Sequence, residues 1–452
     1  MFVASTYMKR EMFSETTPDL VIYHANELVT MNTIFGAPRR GKDMSELAII
    51  NDGGVAIKDD RIIFVGSTEE LVSKYPPEKI TREIDASNKL VIPGFVDPHT
   101  HIIFAGTREN EFSMKLKGKS YLEILKEGGG ILKTVRETRN ASLEKLVKNG
   151  GNILNRMMAH GTTTLETKSG YGLTTESEIK ILKAAKILNE DHPIDIVSTF
   201  LGAHAIPPEY ENRTDDYVDL IISEMLPNVV KENLAEFCDV FCEKDIFSIE
   251  QTRKILNSAK RYGLTPQIHI DEIVDTNGAM LAAEVNAIQA GHLLKSNSAG
   301  LKAMAESDVI ATLLPGTPFC LMSKEYAPAR KMIDLGIPIA LATDLNPNCW
   351  IESMQMIIEL ACYQMHLSPA EALTATTINS ASAIQKQDEI GSLEIGKKAD
   401  LVIFNVPNHE FLPYRLGVNL VSFVIKNGKI LVSKSQSKEE QMKKRKIPGS
   451  FF

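Results

Sequence analysis

Short apolar segments that alternate with amphipathic helical stretches are the feature that most constrains how this chain can fold. Helical patterns such as TESEIKILKAAKILNE lie between these segments, so strands and helices follow one another in turn. The apolar segments cover residues 91–97, 162–166, 195–201, 239–243, 266–270, 287–293, 309–315 and 338–344. Eight β-α units in about 300 residues predict an α/β fold, a (β/α)8 TIM-like barrel. An open doubly wound sheet is the alternative, but no Gly-x-Gly-x-x-Gly pattern follows the first segment.

Both ends of the chain differ from the middle, because they contain β-rich segments separated by tight turns. Asp59-Asp60 and Asn427-Gly428 each lie between apolar runs, which indicates two-residue hairpin turns. Chain ends often lie close together, so the two regions predict one small composite β-sandwich domain. We expect it to comprise residues 18–92 plus 395–435, with the barrel at 93–394 and terminal extensions at 1–17 and 436–452.

Composition limits the classes of partner. The 452 residues are 43% hydrophobic and carry a formal net charge of −8, and the most charged segment, SKEEQMKKRK, mixes both signs, which argues against nucleic acid. No stretch approaches the about 20 apolar residues of a membrane span, and the first residues lack the pattern of a secretory signal. The five cysteines show no disulfide framework, so we expect a reducing, cytoplasmic location with Cys238 and Cys242 as buried thiols.

Histidines and acids gather at the ends of the predicted strands. His99 and His101 follow the first segment, and residues two apart on a strand point to the same face. His269 lies in the fifth segment and Asp344 ends the eighth. Because the carboxyl ends of barrel strands meet at one mouth, these four predict one divalent metal ion, and three imidazoles with a carboxylate suit zinc or iron. His204, Glu272 and His292 are further acid-base candidates at that mouth.

Several longer motifs resemble the amidohydrolase superfamily. They are HTHIIFAGTRENEF, ETKSGYGL, LGAHAIP, HIDEI, LLPGTPF, ATDLNPN and GSLEIGKKADLVI, which together reach across most of residues 18 to 430. HTH and GKKADLVI occur throughout that superfamily, whereas FAGTRENEF, KSGYG and HIDE resemble a narrower branch that opens imidazolone rings.

The resemblance implies an enzyme with a small anionic substrate. It implies hydrolysis of 4-imidazolone-5-propanoate to N-formimino-L-glutamate, a step of histidine degradation, by a metal-activated water in a homodimer. The implied metal ligands are again His99, His101, His269 and Asp344, and the implied catalytic groups are Asp344, His292 and Glu272. The implied substrate contacts are Arg108, Tyr171, His204, Glu272 and Asn346.

Two rival hypotheses and one departure remain open at this stage. The chain could be another mononuclear amidohydrolase, such as a nucleobase deaminase, or a non-catalytic protein on the same barrel. The superfamily branch often has Asn-Pro-Gly followed by Ser or Thr after the final aspartate. Here the sequence is Asn346-Pro347-Asn348-Cys349, which puts the contacts of the last two positions in doubt.

Overall fold

The computed structural model describes residues 17–76, 80–119, 123 and 127–433. The predicted terminal extensions therefore lie almost wholly outside the described residues. Two sheets of eight strands each organise the described chain, one entirely parallel and one mixed.

The parallel sheet follows the chain in order, each strand hydrogen-bonded to the next. Its strands are β6 (Phe95–Asp97), β7 (Thr162–Lys168), β8 (Asp195–Ala203), β9 (Phe237–Cys242), β10 (Thr265–Ile270), β11 (Gln289–His292), β12 (Ile310–Leu313) and β13 (Ile339–Leu341). Beyond the strand ends, the N–H of Asp344 donates to the carbonyl of His99 at 3.1 Å, and the N–H of His101 donates to that of Leu345 at 2.9 Å. These bonds connect the end of the last strand to the end of the first. The eight parallel strands therefore close toward a barrel, as predicted.

Helices cover both sheets: the first packs on the mixed sheet, and most of the others pack on the outer face of the parallel sheet. Those before β10 are α1 (Thr68–Lys74), α2 (Glu109–Leu116), α3 (Ile131–Asn140), α4 (Leu143–Ala159), α5 (Thr175–Asp191), α6 (Thr214–Leu220), α7 (Leu226–Lys231) and α8 (Ile249–Arg261). Those after it are α9 (Gly278–Glu284), α10 (Ser298–Ala305), α11 (Gly316–Cys320), α12 (Ala329–Asp334), α13 (Met354–Met365), α14 (Pro369–Thr376), α15 (Ile378–Ala383) and α16 (Phe411–Tyr414). A π-helical turn, Ile221–Met225, joins α6 to α7, and 3-10 turns cover Thr33–Phe35, Gly41–Ser45 and Pro208–Tyr210. No described helix is long and apolar enough to cross a membrane.

The mixed sheet combines strands from both ends of the chain, as predicted. They are β1 (Leu20–Val29), β2 (Ile49–Lys58), β3 (Arg61–Ser67), β4 (Glu83–Asp85), β5 (Leu90–Pro93), β14 (Leu401–Phe404), β15 (Val421–Lys426) and β16 (Lys429–Ser433). The two ends meet where β5 pairs antiparallel with β14. Both predicted hairpin turns are present, between β2 and β3 and between β15 and β16. The domain boundaries at residues 92 and 395 stay predictions.

One predicted strand is divided between the two sheets. Residues 91–93 pair with β14 in the mixed sheet, whereas residues 95–97 begin the barrel as β6. Gly94 separates them, and a side chain at this position would collide with Thr163 of β7. A single apolar run therefore carries the chain from one domain into the other.

Candidate metal centre and active site

The four predicted ligands meet at the carboxyl end of the barrel. One ligand atom from each of His99, His101 and His269 lies within 4.8 Å of the others. Oδ1 of Asp344 lies 3.7 Å from Nε2 of His99 and 3.4 Å from Nε2 of His101. All four side chains are buried. The three histidines and the aspartate therefore converge as the sequence predicts, and their role as metal ligands stays a prediction.

The imidazoles present nitrogens that the protein leaves without partners. Nε2 of His99, Nδ1 of His101 and Nε2 of His269 are buried and make no hydrogen bond with any described residue. Burial lowers the pKa of His99 well below its usual value, and lowers that of His269 to about 4 although Asp239 opposes the change. Neutral imidazoles with free lone pairs are the form that binds a metal ion, so this donor set fits a divalent cation.

A buried ionic network below the cluster orients His269. Nδ1 of His269 donates to Oδ1 of Asp239 at 3.0 Å, which leaves Nε2 free. The ammonium of Lys168 lies 2.9 Å from Oδ2 of Asp239 and 2.8 Å from Oε1 of Glu166. Burial alone would lower the pKa of Lys168, but the two carboxylates outweigh it and raise that pKa. A carboxylate that fixes a ligand histidine in one tautomer strengthens metal binding.

Asp344 is held in place from several directions. The hydroxyl of Thr317 in α11 donates to Oδ2 of Asp344 at 2.5 Å. Burial raises the pKa of Asp344, but the hydrogen bond from His101 and the nearby His292 outweigh burial and hold it below its usual range. The backbone of Asp344 has φ of +49°, and that of His292 has φ of +72°. Two left-handed residues at one site indicate that the surrounding structure imposes their conformation.

His292 and Glu272 form a second acid-base pair beside the cluster. Nε2 of His292 lies 3.6 Å from Oε2 of Glu272, and the His292 ring centroid lies 5.3 Å from that of His269. Burial raises the pKa of Glu272, although His292 opposes the change. The two groups are therefore placed to share a proton next to the ligand imidazoles.

His204 and Tyr171 form an aromatic wall on the other side of His101. The His204 ring stacks on that of His101 at a centroid distance of 5.0 Å, and the Tyr171 ring lies 5.3 Å from that of His204. Nδ1 of His204 donates to the carbonyl of Gly170 at 3.1 Å. The side chain of Tyr171 is buried, and burial raises the pKa of its phenol, which stays neutral.

The loop that carries Tyr171 is tied down by one buried carboxylate. Glu178 in α5 accepts hydrogen bonds from the N–H groups of Gly170 at 2.8 Å and of Gly172 and Leu173 at 2.7 Å each. The two glycines that flank Tyr171 would by themselves allow this loop many conformations. The structure instead shows a loop whose backbone donors are held by one side chain.

Arg108 lies farther out, in the wall of a cleft of about 1270 Å³ that opens beside the mouth. Its Nε and Nη2 each lie 2.8 Å from Oε2 of Glu111, and Oε1 of Glu111 accepts from the N–H of Gly130 at 3.0 Å. The guanidinium is therefore pre-oriented by a neighbour. Lys115, Phe112 and Trp350 also line this cleft.

Asn346 uses its side chain to build the turn that follows Asp344. Its Nδ2 donates to the carbonyl of Asp344 at 2.7 Å, and its Oδ1 accepts from the N–H of Asn348 at 2.8 Å and of Cys349 at 3.1 Å. Asn348, at the position where glycine is usual, accepts from Nζ of Lys115 at 2.5 Å. The unusual Asn-Cys pair is thus part of a defined turn against α2.

Five side chains of this site are missing from the sequence prediction: Glu166, Lys168, Glu178, Asp239 and Thr317. Two of them can be recognised in the sequence. Glu166 and Lys168 lie two residues apart, on the same face of β7, a strand whose other residues are threonine and leucine. A buried charge of each sign on one face indicates a partner on a neighbouring strand. Asp239 carried a weaker signal, as the sole acid within the apolar strand β9.

Comparison with known proteins agrees with this architecture. The sequence profile of the amidohydrolase family matches residues 90–431. Imidazolonepropionase of Alkaliphilus metalliredigens is 52% identical over 419 residues, which cover 92% of this chain and 99% of that protein. Imidazolonepropionase of Geobacillus kaustophilus is 50% identical over 416 residues, which cover 92% and 98%. The chain belongs to the amidohydrolase family, in its imidazolonepropionase branch.

Solved structures of other amidohydrolases share the fold at low identity. A zinc-bound adenosine deaminase of Xanthomonas campestris superposes with a TM-score of 0.68 at 17% identity, covering 92% of this chain and 93% of its own. A zinc complex of atrazine chlorohydrolase from Arthrobacter aurescens gives a TM-score of 0.65 at 16% identity, covering 94% and 98%. At this identity the likeness concerns the fold of the amidohydrolase barrel alone.

Proposed function

We propose that this protein hydrolyses the ring amide C–N bond of 4-imidazolone-5-propanoate to give N-formimino-L-glutamate, as in histidine degradation. The observation that carries the proposal is the convergence of three buried imidazoles and Asp344 at the barrel mouth. Membership of the imidazolonepropionase branch supports this substrate over that of a nucleobase deaminase.

One divalent ion fits the site, held by His99, His101, His269 and Asp344. When bound, such an ion supplies positive charge that makes a water molecule acidic enough to attack a carbonyl near neutral pH. Zinc and iron both accept this donor set, and the choice between them stays a proposal.

Three side chains of the protein accept, donate or transfer the protons of the reaction. Asp344 is ionised because its pKa is held low, so it can accept a proton from the attacking water. His292 lies next to the ligand imidazoles, where it can donate to the carbonyl oxygen as negative charge develops there. Glu272, with a raised pKa and His292 at 3.6 Å, can carry a proton between the ring nitrogen and solvent.

Substrate binding is assigned to the walls of the mouth. Arg108, pre-oriented by Glu111, offers a planar cation to the propanoate tail. The rings of Tyr171 and His204 lie 5.8 Å and 5.0 Å from that of His101, and the charge of Arg108 acts on the phenol of Tyr171. We propose that these groups, with Glu272 and Asn346, contact the substrate.

Replacement of Arg108 by Gln tests the substrate assignment. A charge-assisted contact contributes about 1.5–3 kcal/mol, so KM for imidazolone propanoate should rise roughly 10- to 100-fold with a smaller change in kcat. Steady-state loss of ring absorbance gives both constants. Arg253→Gln, which removes an exposed ion pair on α8, is the matched control.

The substrate itself supplies the second half of this test. An imidazolone that lacks the propanoate should be turned over poorly by the wild type, and Arg108→Gln should make little difference to it. Equal turnover of both ligands by the wild type would contradict the assignment.

We further propose that the protein is a cytoplasmic homodimer. Large apolar side chains are also exposed close together in sequence at residues 411–418, none of which lines the cleft that holds Arg108, among them Tyr414, Leu416 and Val418. A contiguous apolar surface of this kind is typical of a protein–protein contact. Sedimentation equilibrium should give twice the mass of the chain, and a monomer at micromolar concentration would contradict this expectation.

A further inference from the structure

Two cysteines face each other where α11 meets the turn after Asp344. The buried Cys349 ends that turn, and its thiol donates to the carbonyl of Thr343 at 3.7 Å. Its sulfur also packs on the start of α11, because it lies 3.2 Å from the position that a Cβ atom on Gly316 would occupy. Cys320 lies one turn later in the same helix, and a helical side chain leans over the preceding turn, so its thiol is directed toward Cys349 above Gly316.

The two thiols differ in access. Cys320 is partly exposed and lines the open cleft of about 1270 Å³, where an external reagent can reach it. Cys349 is fully buried, so an external reagent does not reach it directly. Interaction with Cys349 and with the nearby ammonium of Lys115 lowers the pKa of Cys320, despite burial. An accessible, activated thiol with a second thiol beside it is the arrangement of an attacking and a resolving cysteine.

We propose that Cys320 and Cys349 form an oxidisable dithiol, which a small external disulfide converts into an internal disulfide at the edge of the active site. The thiolate of Cys320 attacks one sulfur of the external disulfide, and the first thiolate leaves. The sulfur of Cys349 then attacks the sulfur of Cys320, and the second thiolate leaves with the proton of Cys349. The protein loses two protons and two electrons, and the external disulfide takes them up to become two thiols.

This bond would tie together two elements that both support Asp344. α11 carries Thr317, whose hydroxyl is bonded to the carboxylate of Asp344. The turn that contains Cys349 begins at Asn346, whose amide is bonded to the carbonyl of Asp344. Drawing the two sulfurs to the bonded distance of about 2.05 Å moves these supports toward each other. Oxidation is therefore expected to lower turnover, and reduction to restore it.

The first test maps the bond and needs no assumption about the substrate. The metal-loaded protein is incubated with oxidised glutathione, and free thiols are counted. Digestion at glutamate then separates Cys349 from Cys362, because Glu352 and Glu359 lie between them. We expect two thiols lost per chain and a linked peptide pair that joins residues 320 and 349. Glutathione that stays on Cys320 with no such pair would overturn the proposal.

Substitutions give the matched comparison. Cys320→Ser should abolish the linked pair, whereas Cys362→Ser should retain it. Cys362 is also partly exposed, but burial raises its pKa to about 12. Iodoacetamide at pH 8 should therefore modify Cys320 at least about tenfold faster than Cys362, and equal rates would contradict the assigned activation of Cys320.

Turnover gives the final comparison. Oxidised wild type should lose hydrolase activity and regain it with dithiothreitol, while Cys320→Ser treated in the same way should keep its activity. An equal loss in Cys320→Ser, or full activity in cross-linked wild type, would overturn the link between this dithiol and the active site. The peptide map remains decisive for the bond itself if a different substrate is established.

Discussion

At the scale of the residue, a single hydrogen bond links Asp239 to the candidate metal site. It accepts from Nδ1 of His269, and its other oxygen is held by the ammonium of Lys168. Burial raises the pKa of Asp239, but His269 and Lys168 outweigh burial and keep it ionised. The proton of His269 is thus confined to Nδ1, and Nε2 faces the other ligands.

Asp239→Asn should weaken metal binding without removing a ligand. Loss of such a partner typically costs about 10- to 100-fold in metal affinity, because the imidazole is less basic and less well oriented. Competition with a chromogenic chelator measures the affinity directly. Asp216→Asn, on the exposed side of α6, is the control. Unchanged affinity in folded Asp239→Asn would show that Asp239 does not orient the ligand.

At the scale of the element, one glutamate determines the shape of the loop between β7 and α5. Glu178 satisfies three backbone donors of residues 170–173, and Ser169 and Tyr171 are buried on either side of the first of them. Three buried N–H groups lose their acceptor if this carboxylate is removed. The remaining bonds to the loop, from His204 and Arg139, go to its carbonyl groups and cannot replace that acceptor.

Glu178→Ala should destabilise the protein and raise KM together. Each buried donor left unpaired costs roughly 1–3 kcal/mol, so a loss of about 3 kcal/mol or more is expected. Glu178→Gln keeps carbonyl acceptance and should be milder, which allows kinetics if Glu178→Ala fails to fold. Glu176→Ala, exposed on the same helix, is the control. If Glu178→Gln has the same melting temperature and the same KM as Glu176→Ala, the role assigned to Glu178 is contradicted.

A buried ionic network joins the two sheets at the scale of the whole molecule. Nζ of Lys426, on β15 of the mixed sheet, lies 2.7 Å from Asp195 at the start of barrel strand β8 and 2.7 Å from Asp400. Lys398 reaches the same carboxylate of Asp195 at 3.0 Å. Strand β15 is thereby fixed to the amino-terminal side of the barrel, away from the metal centre.

Lys426→Met should destabilise the whole chain and leave catalysis nearly unchanged in the folded protein. Removal of one partner of a buried ion pair costs about 3–5 kcal/mol, since Asp400 would stay buried without its cation. Lys429→Met, an exposed lysine on β16, is the control. The measurement is the urea midpoint of each variant, followed by kcat at low temperature. A midpoint equal to that of Lys429→Met would show that the network does not couple the sheets.

The sequence predicts the barrel and the ligand set because both depend on local patterns. The eight apolar segments lie close to the observed strands, and the position of His99, His101, His269 and Asp344 at strand ends places them at one mouth. The partners of these residues depend on pairing between distant strands. Lys168 and Asp239 meet only because β7, β8 and β9 are adjacent, and nothing near either residue in sequence reveals that contact. The division of residues 91–97 at Gly94 is similarly set by Thr163 of a neighbouring strand.

The metal content of the purified protein tests the central claim most directly. Elemental analysis should find about one zinc or iron per chain in the wild type and far less in His101→Asn and His269→Asn. His409→Asn, which alters a histidine paired with Glu27 far from the barrel mouth, should keep the wild-type content. Equal metal content in all four proteins, or wild-type protein that binds no divalent ion after reconstitution, would contradict the account.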